Sequence, residues 1–340
     1  MSAPSGSGFS TGVCTAVAGT NIALVKYWGK RGGACNLPAA GSLSLTLQEL
    51  GTRTTVRFDQ QLGADRVRLN GQDAAEGMRA RASVFLDLVR QQAGITAAAE
   101  VVTDNTVPTA AGLASSASGF AALALAASRA AGLALSPEAL SVLARRGSGS
   151  AARSIFGGLV EMQAGTREDG SDAYARPLPD GDAWPLRLVV AVTAEGAKAI
   201  GSTEAMRRTA QTSPYYAAWI ASVETDLRDA RAAIAERDLR RLGAVAERSA
   251  LRMHASALAA DPPILYWSPA TIAAMDTVRQ LRSRGVDAFF TIDAGPHVKV
   301  LCQPAHAAAV EAALASTPGV LRTIVASPGP GARVVQEITS

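Results

Sequence analysis

The stretch PTAAGLASSASG, residues 108–119, decides how this chain reads. Its small side chains let backbone N–H groups approach a ligand closely. The Ala-rich helix expected from Ser115 to about residue 131 turns its positive end toward the same point. Ser115, Ser116 and Ser118 add three hydroxyls that can donate to phosphate oxygens or help hold a magnesium ion. No Gly-Lys-Ser/Thr ending follows, so this is not a Walker A loop. By composition alone, the same stretch is equally a tightly packed helix start in a chain where 70 of 340 residues are alanine.

Working outward, residues 42–47 and 52–58 alternate like strands, and 66–69 follows, with Asn70-Gly71 as a hairpin-type turn. Residues 74–92 have helical spacing, and 100–103 form a short strand leading into the small-residue loop. Beyond the loop helix, Ser136-Pro137-Glu138 opens another helix, with Ser as N-cap and Pro at the first helical position. Residues 157–163 read as a strand. Residues 165–185 are polar, with Gly and Pro, and read as the connection between two halves. The second half then runs strand (186–193), helices (about 203–212, 214–236, 239–258 and 269–284), strands (288–292 and 298–302), helix (304–315) and strands (323–326 and 333–337). That is the order of a ferredoxin-like split unit.

Bulk numbers narrow the function classes. At 48% hydrophobic and 18% charged, the composition is that of a globular protein with ample core. The net charge of +4 is spread along the chain, without the Lys/Arg block of a nucleic-acid or anionic-membrane partner. Residues 105–128 carry no charge, but they are mostly Ala, Gly, Ser and Thr around Pro108, too polar for a spanning helix. Residues 1–11 are Ser/Gly-rich, lack the pattern of a signal peptide and read as a frayed tail. Cys14, Cys35 and Cys302 are scattered, which fits a reducing cytoplasm. His254, His297 and His306 are equally dispersed, which argues against a structural zinc site. Of the 33 Lys+Arg only four are Lys, leaving 29 Arg. Each of the four, Lys26, Lys30, Lys198 and Lys299, therefore invites inspection, because Arg cannot do every job of a compact ammonium.

Four further segments could carry chemistry. In NIALVKYWGK (21–30) two of the four Lys flank Tyr27 and Trp28, which suits an anionic ligand in a partly dry pocket; an edge strand with solvated Lys is the bland alternative. In FFTIDAGP (289–296) a lone carboxylate, Asp293, ends an apolar run at a strand tip, placed either as a general base or as an Asx-turn acid. GSGSAARS (147–154) and KAIGSTEAM (198–206) each combine small residues, hydroxyls and a cation. Arg153 could grip a carboxylate or phosphate bidentately, and Ser202 and Thr203 could cap a helix and bind an anion there. Arg145-Arg146 is most simply a helix C-terminus complementing its dipole. Arg252, Met253 and His254 read as helix packing, and Trp184, Trp219 and Trp267 as core or interface anchors.

Together these segments resemble the mevalonate diphosphate decarboxylase family of the GHMP kinase superfamily, from about residue 14 to 338. The carrying stretches are NIALVKYWGKR, NLPAAGSLSLTL, VPTAAGLASSASGFAAL, GSGSAARSIFGG, STEAMRRTAQTSPYY, LRMHA and FFTIDAGPHVKVL. KYWGK combined with the acid of DAGP is specific to decarboxylases, whereas kinases of the superfamily share mainly the phosphate loop. The resemblance implies an α+β, two-domain GHMP kinase fold: a disordered tail (1–12), an N-terminal ribosomal-protein-S5-like α/β domain that binds ATP (13–185) and a C-terminal ferredoxin-like α+β domain (186–340). It further implies a cytoplasmic homodimer that uses ATP and Mg²⁺ to phosphorylate the 3-hydroxyl of mevalonate 5-diphosphate and decarboxylate it to isopentenyl diphosphate.

Carried over by position, Asp293 is the general base and Lys26 the lysine that pairs with it. Tyr27, Lys30, Ser148, Gly149, Arg153, Ser202, Thr203 and Met206 fall on substrate positions. Pro108, Ala111, Gly112, Leu113, Ala114, Ser115, Ser116 and Ser118 form the ATP phosphate loop, Lys198 approaches the ATP phosphates, and magnesium is held through those phosphates, with no protein ligand assigned and Ser116 the one candidate. Three departures stand out. His297 replaces the family's common Asn after DAGP, Ala39-Ala40-Gly41 replaces a segment that often reads Asn-Ser-Ser, and Thr203 stands where some bacterial members carry Arg near the diphosphate. They leave open a mevalonate 5-phosphate decarboxylase giving isopentenyl phosphate, beside a plain 3-kinase and a non-catalytic nucleotide-binding regulator of the same fold.

Overall fold

The computed structural model describes residues 12–33, 35–106, 115–179, 181, 184–196 and 198–338, with the side chain of Ser115 excepted. Among these, two sheets carry the chain. The first is built from β1 (Val13–Val25), β2 (Ser42–Asp59), β3 (Arg66–Leu69), β4 (Gln72–Asp73), β5 (Ala98–Asn105), β6 (Leu159–Met162) and β7 (Ala175–Pro177). Its helices are α1 (Glu76–Ala93), α2 (Ser115–Ala130), α3 (Pro137–Gly147) and the single turn α4 (Ala151–Ser154). The second sheet contains β8 (Arg187–Val192), β9 (Ala288–Ile292), β10 (Val298–Cys302) and β11 (Arg322–Ala326). With it go α5 (Ser202–Thr212), α6 (Tyr216–Ala235), α7 (Leu239–Leu258), α8 (Pro269–Ser283) and α9 (Ala307–Ala315). Its order, β11-β8-β10-β9 with every pair antiparallel, is the ferredoxin-like order expected from the sequence.

The last strand, β12 (Arg333–Ile338), leaves the second sheet. It pairs antiparallel with β1, so the first sheet runs β12-β1-β2-β5-β3-β4, with β6 and β7 attached to β2. Residues 333–337 were expected as a strand of the second half, because strand alternation carries no information about which sheet a strand joins. β1 itself is an interior strand and not an edge. Residues 42–47 and 52–58, read as two strands, form the continuous β2. It crosses β1 closely where Gly19 lies, since a Cβ there would stand 2.3 Å from the Leu47 carbonyl oxygen. Residues 165–185 are not a plain connection, because β7 within them pairs with β6. Residues 304–315 divide into a 3₁₀ turn, Pro304–His306, and α9.

Local signals end the helices as the sequence suggests. The Ser136 hydroxyl accepts from Ala139 N, with Pro137 opening α3. A capping box between Ser268 and Thr271 starts α8, again with Pro at the first position. Burial then sets the layers. α1, α2 and α3 pack one face of the first sheet through Phe85, Leu123 and Leu143, and α8 and α9 cover the outer face of the second through Val278 and Leu314. α6 and α7 fill the space between the sheets. Leu227, Leu242 and Met253 join Leu24 and Leu45 of the first sheet to Leu188 and Leu301 of the second in one apolar core.

The close seating of α7 has a measurable consequence. A Cβ at Gly243 would meet the Phe289 ring at 2.0 Å. Gly243→Ala is therefore expected to destabilise the protein by about 1–3 kcal/mol through overpacking, despite the better helix propensity of Ala. Urea unfolding checks this, and an unchanged midpoint would contradict the packing.

Candidate active site

β1 ends at Val25 and delivers Lys26 and Tyr27 to a cleft of about 1370 Å³ that both sheets border. The Lys26 backbone N–H donates to Ser249 Oγ of α7 (3.0 Å), and its ammonium donates to the Ala23 carbonyl (2.8 Å). The third partner is Asp293, just beyond β9: Lys26 Nζ lies 2.6 Å from its Oδ1. Lys299 of β10 reaches the other carboxylate oxygen, Oδ2, at 3.2 Å. Lys26 is 1% exposed and Asp293 29%, so both line the cleft but the acid is the more open of the two.

Burial works against the Asp293 charge, but Lys26 and then Lys299 overcome it and hold the carboxyl well below the usual carboxylate range. Burial dominates at Lys26, pushing its ammonium down to about 8, although Asp293 opposes the shift. Lys198 donates to Ala294 O (2.7 Å) and Ser202 Oγ (3.2 Å), and burial, reinforced by Lys299, lowers its pKa too. His254 of α7 is driven by burial down to about 3 and stays neutral, tilted against the Trp267 ring.

Arg153 of α4 enters the cleft from the opposite side and is 2% exposed. Its guanidinium donates to Ser42 Oγ (2.7 Å), Ser44 Oγ (2.9 Å) and Asn21 Oδ1 (3.0 Å), all neutral acceptors. No carboxylate among the described residues forms a salt bridge with it, and burial lowers its pKa to about 10. Lys30 donates to Asn36 Oδ1 (2.8 Å) and weakly to Thr203 Oγ1 (3.4 Å). The described lining holds seven Lys or Arg (Lys26, Lys30, Arg81, Arg146, Arg153, Lys198, Arg207) against two carboxylates, Glu204 and Asp293. Such a surplus in a concave, partly dry site selects polyanions.

The Tyr27 hydroxyl is buried with no hydrogen-bond partner, and burial raises its pKa. It packs against Gly149, where a Cβ would stand 2.1 Å from the phenolic oxygen. Ser148, Gly149, Ser202, Thr203 and Met206 border the same cleft, as does Ser116 on the first turn of α2. Pro108, Ala111, Gly112, Leu113 and Ala114 lie outside the described residues, as does the side chain of Ser115. Ser118, expected among the phosphate donors, is placed differently: it is buried in the seam between α2 and the first sheet, 2.7 Å from Thr52 Oγ1. Helical spacing explains this, since Ser118 lies on the sheet-facing side of α2 and Ser116 does not. Among the described residues no three His, Cys, Asp or Glu side chains come together to hold a metal ion. Magnesium therefore fits here through phosphate oxygens and a hydroxyl such as that of Ser116, and not through a carboxylate cage.

Three contacts escaped the sequence reading. Lys299 was given no role at the site, yet the period-2 alternation of Thr291, Asp293 and Lys299 across one hairpin carried the signal. Arg146 lines the cleft with a buried, unpartnered Nε, beyond any dipole role. Arg145 is fully buried and pins loop carbonyls of Cys35, Gly170 and Ala173. Nothing local in the sequence separates these two arginines from helix-end charges.

A carboxylate held by lysines, a helix start edged with small residues and a cation-rich cleft together define an enzyme that transfers phosphoryl groups between anionic substrates. Comparison with known proteins gives the family. The model of the diphosphomevalonate decarboxylase-like N-terminal domain matches residues 18–175, and that of the mevalonate 5-diphosphate decarboxylase C-terminal domain matches 188–324. The diphosphomevalonate decarboxylase of Aspergillus fumigatus is 38% identical over 306 residues, 84% of this chain and 76% of that protein. The mevalonate diphosphate decarboxylase of Staphylococcus aureus superposes with a TM-score of 0.91 at 39% identity, covering 95% of this chain and 98% of that one. A structure described as MDDEF in complex with MVAPP, AMPPCP and magnesium superposes with a TM-score of 0.90 at 44% identity, covering 95% and 99%. The chain belongs to the diphosphomevalonate decarboxylase family, and its fold is the α+β, two-domain GHMP kinase fold.

The orphaned Tyr27 hydroxyl separates a ligand role from a packing role. Tyr27→Phe removes an unpaired buried hydroxyl, so stability should hold or rise by up to about 1 kcal/mol. The thermal stabilisation conferred by inorganic pyrophosphate should shrink. A lowered melting temperature with undiminished pyrophosphate stabilisation would refute the anion-binding role.

Proposed function

We propose that this protein catalyses the ATP-dependent decarboxylation of mevalonate 5-diphosphate to isopentenyl diphosphate, releasing ADP, phosphate and CO₂. The observation that carries the reading is Asp293 opening onto a cation-rich cleft while two lysines hold its carboxylate. The site fits both phosphorylated reactants. Lys30, Tyr27, Ser148, Gly149, Ser202, Thr203 and Met206 surround the diphosphate. Ser116 and Lys198, with the loop residues 108–115, receive the ATP phosphates. Magnesium, when bound, screens the repulsion between the two polyanions.

Asp293 accepts a hydrogen bond from the 3-hydroxyl and orients it toward the terminal phosphorus of ATP. A carboxylate held so far below the ordinary range is a weak base. It suits a loose transition state, in which the nucleophile's proton is surrendered late. The proton passes to Asp293 as the oxygen–phosphorus bond forms and the bond to the ADP oxygen breaks. In the second step the C3–O bond breaks and phosphate leaves toward Lys26 and Lys198. The carboxylate, aligned by Arg153, departs as CO₂, and its bonding electrons become the new double bond. Arg153 suits that task because its neutral partners leave its charge unspent.

The chain divides its work between an ATP-binding part, 13–185, and a part, 186–340, that supplies Asp293 and Lys198. The protein acts as a cytoplasmic homodimer, a state that sedimentation velocity tests. Asp293→Ala should lower kcat by about 100- to 10,000-fold while nucleotide binding, followed by fluorescence titration, persists. Near-wild-type release of CO₂ and ADP from that variant would sink the assignment, and ADP without CO₂ from the wild type would point to a kinase. Comparing kcat/KM for the diphosphate and the monophosphate fixes the substrate.

Lys26 sets the alkaline side. Its ammonium persists below about 8 and is lost above, so kcat/KM should fall as pH rises through about 8. Lys26→Arg should move that limb upward yet remain strongly impaired, because the planar fork cannot occupy the space between Ala23 O and Asp293. Full activity in Lys26→Arg would refute the requirement for a compact ammonium.

A further inference from the structure

Lys299 sits where the fold calls for an apolar residue. On β10 it stands opposite Thr291 of β9, and its same-face neighbours Leu301 and Phe289 belong to the core between the sheets. It is 4% exposed, and a buried ammonium is costly unless well paired. Its salt-bridge partner is Asp293 Oδ2. Yet Lys26 already neutralises that carboxylate, with Lys198 from the loop after β8 and Arg153 from α4 near enough to feel its charge. His254, facing the group from α7, is neutral. Charge balance therefore does not explain a further cation, whereas geometry does. The carboxylate torsion of an aspartate is broad and two-fold, so a single contact at Oδ1 leaves the group free to swing about it.

We propose that Lys299 is a positioning residue of phosphoryl transfer: it grips Oδ2 while Lys26 grips Oδ1, and so fixes the plane in which Asp293 meets the 3-hydroxyl. The proposal rests on the decarboxylase reading above. Lys299 itself neither gives nor takes a proton. The hydroxyl proton still passes to Asp293 as the new oxygen–phosphorus bond forms and ADP departs.

Lys299→Met keeps the stem and removes the ammonium, and Lys299→Gln provides a second variant should the first fail to fold. Each is assayed as the full chain with ATP, Mg²⁺ and mevalonate diphosphate across pH. The expected kcat is roughly 10- to 100-fold lower, as for a small misplacement of a reacting group, with both KM values within about threefold. The acid limb of kcat/KM should move toward neutrality as Asp293 loses one of its ammonium partners. The melting temperature of Lys299→Met should hold or rise, because a buried charge is gone. Unchanged kcat, or a lower kcat with a lowered melting temperature and an unmoved acid limb, would overturn the proposal in favour of packing alone. A wild-type protein that releases no CO₂ would instead overturn the decarboxylase reading.

Discussion

One ion pair ties the two sheets into a single catalytic unit. Lys26 and Asp293 are separated by 267 positions, yet their side chains meet at 2.6 Å where β1 and β9 end. A pair this deep contributes little net stability, because desolvating both charges offsets their attraction. Losing one partner is another matter, since the survivor would stay buried and unpaired. The pair thus links the two sheets at the site, while the drive to dock comes from the apolar core around α6 and α7. α7 takes part in both: Ser249 receives the Lys26 backbone N–H, and neighbouring turns of the helix fill the core.

Arg153 and Lys30 differ in their partners from several arginines elsewhere, although Arg207 at the cleft pairs with Glu204 and the interior Arg145 binds carbonyls. Away from the cleft, several arginines find acids: Arg231 with Glu161, Arg282 with Glu247, Arg248 with Asp226 and Asp229. Inside it, Arg153 is held by two serines and an asparagine, and Lys30 by an asparagine amide oxygen. Neutral acceptors satisfy hydrogen-bond geometry without cancelling charge, so the field in the cleft stays positive. Such an arrangement costs stability while the cleft lacks anions, and bound polyanions repay it.

Much of this was legible before any coordinates. Period-2 and period-3.6 patterns, with Ser-Pro helix starts, located most elements, and the second sheet follows the order that the element sequence implies. Asp293 and Lys26 lay in segments that could carry chemistry, but their roles came from the family resemblance, since the residues alone left an Asx-turn acid and a solvated lysine open. What stayed illegible depends on distance in space. β12 crosses back to β1 because a free edge existed there, a fact about the assembled sheet that no local window contains. Ser118 and Ser116 share one motif, and only the docked face of α2 separates a packing hydroxyl from one that lines the cleft. Arg145 and Arg146 look alike as a helix ending, yet one pins loop carbonyls in the interior and the other borders the cleft.

The lysine scarcity gains its meaning from the same geometry. Lys26, Lys30 and Lys198 line the cleft, and Lys299 touches Asp293 from beneath, so all four lysines of the chain gather at one place. A coding preference for arginine would convert any lysine whose task tolerates a planar fork. Around Asp293 it does not: the ammoniums of Lys26, Lys198 and Lys299 crowd within interaction range of one carboxylate, and each must reach its own acceptor at a separate angle. Compact cations can share so small a volume, whereas bidentate guanidinium groups would compete for the same carboxylate edge. Three of the four lysines thus fall where compact ammonium groups gather around one carboxylate, and the fourth, Lys30, lines the same cleft.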